Sequence, residues 1–199
     1  MTPARCSTAS TRAEHGEAIP LATPAAFLLD HEALLHEAAA RGPILDLACG
    51  RGRNAVALAA RGIDCVGVDR NEAFLREAES AAREHPGRLE TLLFDLESGL
   101  ELPFKKGSCG GILVFRFLFR PLAEMIQRAL APGGVLLYET FTQDQPALGW
   151  GPKQPAFLLA PGELPGLFPT LDVLHFDEEP RTSPRPEASA RLAARLPVR

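Results

Sequence analysis

No apolar run in the sequence approaches the ~20 residues that a membrane-spanning helix needs, so no membrane partner is expected. A basic excess is also lacking: the formal net charge is −4, which does not indicate a broad nucleic-acid-binding face and leaves room only for a local patch. The four cysteines, Cys6, Cys49, Cys65 and Cys109, form no C-x-x-C pair, so neither a metal site nor a disulfide frame is expected. Cys49, Cys65 and Cys109 read instead as small buried thiols of a reducing, cytoplasmic compartment. Met1–Glu14 is rich in Ser, Thr and Ala, carries two arginines and has no apolar core. It does not read as a secretory signal; residues 1–18 read as a disordered lead-in. His31 and His36, five apart, fit one helical face poorly and do not suggest a metal pair.

What is present is a globular composition, 46% hydrophobic and 23% charged over 199 residues, long enough for one domain with a real core. Its organising stretch is Ile44–Asn54, Ile-Leu-Asp-Leu-Ala-Cys-Gly-Arg-Gly-Arg-Asn. A short apolar run meets Gly50 and Gly52, and an Ala-rich helical run follows from Ala55. Strand, glycine turn and helix hold a polar or anionic ligand, because the glycines admit close backbone approach and the helix start presents free N–H groups. Gly50, Gly52 and Ala55 also satisfy the loose G-x-G-x-x-G/A dinucleotide pattern. Asp46 lies inside the strand, where a carboxylate is costly without a partner. Ile63–Asp69 reads as a second strand, and Asp69 ends it about 20 residues after the loop, the spacing that brings a carboxylate to ribose hydroxyls.

Along the chain, Ala25–Arg41 reads as a helix stopped by Gly42-Pro43, Asn71–Glu84 as a helix capped by Asn71, and Pro121–Leu130 as another. Leu89–Leu96, the apolar Gly110–Phe117 and Val135–Phe141 read as strands, the last after a Pro132-Gly133-Gly134 turn. Helix and strand alternating at short intervals predict a doubly wound, mostly parallel α/β sheet with helices on both faces. Ligands of such sheets bind at the carboxyl ends of the strands, where Asp46, Asp69, Asp95 and Glu139 all fall. Gln143–Pro161, rich in Pro and Gly and holding the only tryptophan, reads as a long lid-like loop. A short helix is expected within Pro161–Phe168 and a strand at Leu171–Phe176. Propensity alone makes Ala188–Leu196 a helix.

The glycine loop Leu45-Asp46-Leu47-Ala48-Cys49-Gly50-Arg51-Gly52, the strand-end acids in Val68-Asp69 and Phe94-Asp95, and Ala131-Pro132-Gly133-Gly134 together resemble the class I S-adenosylmethionine-dependent methyltransferases across about residues 42–142. Gly-Arg-Gly-Arg-Asn looks more particularly like the small branch of tellurite-resistance methyltransferases. The resemblance implies a seven-stranded Rossmann-like sheet ending in an antiparallel hairpin, which turns Ala188–Leu196 into a strand. It divides residues 19–199 into a cap helix (19–42), a cofactor-binding core (43–142), the loop and short helix (143–168) and the hairpin (169–199). It implies S-adenosyl-L-methionine as cofactor, with Gly50 and Gly52 passing the methionine moiety and Asp46 bonding its amino end. Asp69 would take the ribose hydroxyls, Asp95 the adenine amino group, and Arg70 or Leu96 would flank the ring. Ala48, Asn54 and Phe115 complete the implied set.

The acceptor side is less defined. Phe115-Arg116-Phe117-Leu118-Phe119-Arg120-Pro121 is not the Asn-Pro-Pro-aromatic signature of amide or exocyclic-amine methylation, and Phe119 stands where related enzymes often carry a histidine. Arg116 and Arg120 are candidates to hold an anionic acceptor by paired hydrogen bonds; the plainer alternative is pairing with Glu139 or Glu124. Glu139 reads as an active-site polar group and Tyr138 as core. A small-molecule acceptor and a monomer or homodimer are expected. Two other readings remain open: a nicotinamide-dependent oxidoreductase, although Asp46, Asp95 and the lack of a Tyr-x-x-x-Lys pair count against it, and a non-catalytic cofactor-binding or regulatory protein.

Overall fold

The computed structural model describes residues 23–182 and 185–198; the expected lead-in of residues 1–18 and Cys6 lie outside them. Seven strands form one sheet in the order β3-β2-β1-β4-β5-β7-β6. They are β1 (Ile44–Leu47), β2 (Cys65–Asp69), β3 (Leu89–Leu93), β4 (Cys109–Phe115), β5 (Leu130–Phe141), β6 (Asp172–Asp177) and β7 (Ser189–Arg195). The first five run parallel; β7 is antiparallel to both β5 and β6. The Rossmann-like sheet with a terminal antiparallel hairpin is therefore present. An antiparallel strand between the fifth and sixth also separates this order from the 3-2-1-4-5-6 order of dinucleotide-binding folds.

Strand alternation assigns the two cores. Leu45, Leu47, Ile112, Val114, Leu136 and Tyr138 face α5 (Leu122–Ala129) and α6 (Glu163–Gly166). Ile44, Leu113, Phe115 and Leu137 face α1 (Ala26–Asp30), α2 (Glu32–Ala39) and α3 (Arg53–Ala59). On α4 (Glu72–Ala82), Asn71 caps the start by accepting the Phe74 N–H at 3.2 Å. The expected single helix over Ala25–Arg41 is broken at His31, whose ring donates to the Phe27 carbonyl at 2.8 Å and so satisfies an acceptor that the end of α1 leaves free. β5 starts earlier than expected, at Leu130; the Pro-Gly-Gly segment is an irregularity within it, where the pairing with β4 shifts between Cys109 and Gly111. Ser189–Arg195 is strand despite its helical propensity: Ala190, Leu192, Ala193 and Ala194 are fully buried between two neighbours, and packing overrides a weak local preference. Cys49, Cys65 and Cys109 are buried free thiols, and burial pushes each thiol pKa up. No helix among the described residues is long and apolar enough to cross a membrane.

Candidate active site

Among the described residues only two non-glycine residues have positive φ, Ala48 (56°) and Arg116 (58°). Each immediately follows, or nearly follows, the carboxyl end of one of two adjacent strands, β1 and β4. Left-handed backbone disfavours a Cβ, so both positions hold their turns at a cost of about 1–2 kcal/mol. The two turns open the sheet where its order reverses on either side of β1 and β4.

The β1 turn sets a glycine loop against the end of β2. Asp69, at the end of β2, accepts the Gly50 N–H at 2.8 Å through Oδ2 and the Asn71 N–H at 2.9 Å through Oδ1. Gly50 has φ +57°, and a Cβ there meets nothing within 4 Å. The space over this glycine is open, as a cradle for a ligand requires. Beside it, Ala48, Asp69, Phe94, Asp95, Leu96 and Phe117 line a cavity of about 160 Å³. Apolar walls between two carboxylates, Asp69 and Asp95, offer the chemistry that a nucleoside needs. These residues fit the adenosine part of S-adenosylmethionine. Arg70, also at this cavity, is paired with Glu97 at 3.0 Å.

Three residues implied for this site sit otherwise. Gly52 spends its N–H on the Cys49 carbonyl at 3.0 Å, and a Cβ on it would meet the Ala78 Cβ at 2.6 Å, so its smallness serves the packing of α3 on α4. Asn54 is buried and accepts the Ala25 N–H at 3.0 Å, tying α3 to the start of α1. Phe115 lies in the α1–α3 core, whereas Phe117, two residues on, lines the cavity.

Asp46 is buried beneath the loop and accepts the Ala55 N–H at 3.2 Å. Burial lifts its pKa from 3.8 to about 7; the Ala55 N–H and Arg53 oppose the rise, and Asp69 adds to it. The native state therefore holds more protons here than the unfolded chain between pH 3.8 and about 7, and this site's contribution to stability falls as pH rises through that window. Asp46→Asn removes the ionisation. Its stability relative to wild type is expected to improve by about 3 kcal/mol between pH 5 and pH 8 in urea melts; parallel pH profiles would show that Asp46 does not titrate with folding.

The β4 turn holds a cluster of charged groups. The Arg116 N–H donates to the Glu139 carbonyl at 2.7 Å, and its guanidinium meets Glu187 at 3.0 Å. Arg181 pairs with Glu187 at 2.5 Å, with Glu139 at 3.3 Å, and with the Ser189 hydroxyl. Burial raises the pKa of Glu139, and Arg181 opposes the rise. Arg53, at the start of α3, has its pKa lowered by burial and by the Arg116 charge, while Glu139, Asp46 and Glu187 pull the other way. Its guanidinium donates to the Thr23 carbonyl at 3.1 Å. Arg120 is placed apart from them. It donates to both Glu163 oxygens, at 2.5 and 2.9 Å, and to the Ala156 and Leu158 carbonyls. It fastens the 143–162 segment to the sheet, and neither Glu139 nor Glu124 is its partner. Arg181, Glu187 and Phe117 escaped the sequence; the only signal was a proline-rich connector between β6 and β7.

Residues 44–134 match the model of a methyltransferase domain family. No curated protein matches the chain by sequence. Among solved structures, the chain is similar to an S-adenosylmethionine-dependent methyltransferase of Methanosarcina mazei, with 20% identity over 83% of this chain and 98% of that one and a TM-score of 0.64. It is similar to TehB of Haemophilus influenzae, with 20% identity over 83% of this chain and 62% of that one and a TM-score of 0.63. It is also similar to the geranyl diphosphate C-methyltransferase of Streptomyces coelicolor A3(2), crystallised with Mg²⁺, geranyl diphosphate and S-adenosyl-L-homocysteine, with 16% identity over 84% and 77% of the two chains and a TM-score of 0.61. At these identities the structural likeness concerns the fold.

Proposed function

We propose that this chain, whose residues 44–134 match a methyltransferase domain family, is an S-adenosylmethionine-dependent methyltransferase that acts on a small anionic acceptor held at the carboxyl end of β4. The observation that carries the reading is the strained Arg116, φ 58°, whose guanidinium stands 46% exposed one strand away from the donor loop. The bound cofactor supplies a methyl group already activated for in-line displacement. What is left to the chain is to bind, align and exclude water. Gly50, Asp69 and Asp95 hold the donor, and Arg116 and Arg53 supply positive potential beside it. Glu139 is tied to Arg181 and is a positioning group, not a free base. An acceptor that arrives as an anion needs no base, which agrees with that arrangement.

Calorimetry with S-adenosylmethionine, S-adenosylhomocysteine and NAD tests the donor half. Micromolar binding of the first two and none of NAD is expected. Binding of NAD alone would sink the reading, and binding of the first two without turnover of any small acid in an S-adenosylhomocysteine-release assay would favour a regulatory cofactor-binding protein. In that assay Arg116→Ala is expected to lower kcat/KM for an anionic acceptor about 100-fold, the worth of a charge-assisted pair, and to leave S-adenosylhomocysteine affinity within about twofold.

A further inference from the structure

On the reading of an anionic acceptor rests a more specific one, drawn from what surrounds Arg116. Its guanidinium carbon lies 5.9 Å from the Phe141 ring centre and 5.8 Å from that of Trp150. Those rings meet edge to face at 5.5 Å and 88°. Arg185 stands over Trp150 at 4.2 Å. The corner is fixed from behind: the Trp150 indole donates to the Pro186 carbonyl at 2.8 Å, and Gln145, fully buried, donates to the Trp150 carbonyl and accepts the Ala188 N–H. An aromatic corner flanked by two guanidiniums recognises a flat ring bearing an acid.

Glu187 explains how such an acid enters. It is 6% exposed and spans two arginines, Oε1 to Arg181 at 2.5 Å and Oε2 to Arg116 at 3.0 Å. Arg181 is shared with Glu139, so Arg181 and Arg116 together face two buried carboxylates, and Arg116, on left-handed backbone, is the more exposed of the two arginines. The strained, half-exposed Arg116 is therefore the cation of this cluster that an incoming anion can reach. We propose that Glu187 occupies the substrate's place: an aromatic carboxylic acid exchanges its carboxylate for Glu187 Oε2 on Arg116 and lays its ring against Trp150. Glu187 keeps its contact with Arg181 throughout the exchange.

Trp150 is the only tryptophan of the chain, so its emission reports this corner directly. The probe is benzoate, titrated into the full chain with saturating S-adenosylhomocysteine, with benzamide as its neutral counterpart. Benzoate is expected to change the emission saturably and to bind at least about tenfold more tightly than benzamide. Glu187→Gln, which removes the competing charge, is expected to tighten benzoate about fivefold, and Arg116→Met to weaken it by more than about 30-fold. A structural pair predicts the opposite sign for Glu187→Gln. Should that variant fold poorly, Trp150→Phe and Trp150→Ala, read by calorimetry, give the second test: the ring-retaining change should cost less than about threefold and the truncation more than about tenfold. Equal binding of benzoate and benzamide, or weaker benzoate binding by a folded Glu187→Gln, overturns the inference while retained S-adenosylhomocysteine binding leaves the methyltransferase reading standing. Loss of S-adenosylhomocysteine binding by the wild type overturns both.

Discussion

An Asp69→Ala variant is expected to bind S-adenosylhomocysteine about 100- to 1,000-fold more weakly than wild type, a loss of about 3–4 kcal/mol. The carboxylate does two things at once. It accepts the Gly50 and Asn71 N–H groups, at 2.8 and 2.9 Å, which fixes the glycine turn against the end of β2. It also presents its remaining lone pairs to the cavity, where a ribose would donate to them. Alanine removes both the hydroxyl acceptors and the anchor of the turn, so orientation and contact are lost together. Folding suffers less: Asp69 is half-buried and water reaches the released N–H groups, which limits the destabilisation to about 1–2 kcal/mol. Calorimetry paired with a urea melt separates the two effects. A drop in affinity below about fivefold would mean that the ribose lies elsewhere.

The second large effect concerns folding. Gly110→Ala should lower stability by about 3–5 kcal/mol, a large share of the 5–15 kcal/mol typical of a domain. An alanine Cβ there would lie 2.1 Å from the Ala38 carbonyl oxygen and 2.6 Å from that of Gly42, both backbone atoms at the end of α2. Neither can rotate away; α2 has to retreat from the sheet, and with it the α1–α2 packing on Ile44 and Leu113. Gly111→Ala is the internal control. Its Cβ would meet only the tip of Ile44, Cδ1 at 2.8 Å, which a rotamer change relieves at about 1–2 kcal/mol. A urea midpoint for Gly110→Ala no lower than that of Gly111→Ala would show that α2 is not seated firmly on the sheet.

The parallel core and the donor loop were legible because each has a local signal. Apolar runs bounded by Gly and Pro mark β1, β2 and β4, and an acid at the end of a strand marks Asp69. The resemblance was needed for β7, where Ala, Leu and Arg favour a helix and only long-range pairing with β5 and β6 makes a strand. The contacts of Gly52 and Asn54 were not legible for a related reason: both lie in the loop motif, but each is turned toward another helix, α4 or α1, whose position no local pattern records. The acceptor side was least legible. Glu187 lies 71 residues from Arg116, and nothing in the spacing of the two hints that the β6–β7 connection folds back over β4.

The placement of β7 has a consequence for how the protein is made. A chain synthesised from its amino end can pair β1 through β5 early, because each crossover is short. β6 cannot join them: its neighbour in the sheet is β7, which leaves the ribosome afterwards. Until residues 189–195 emerge, the outer side of β5 stays open, exposing the Leu136–Phe141 segment to other nascent chains. At synthesis rates of about 5–20 residues per second the roughly fifty residues between β5 and the end of β7 keep that edge bare for several seconds. The same late strand carries the Glu139–Arg191 pairing, so the charged cluster at the end of β4 closes only after the glycine loop has formed.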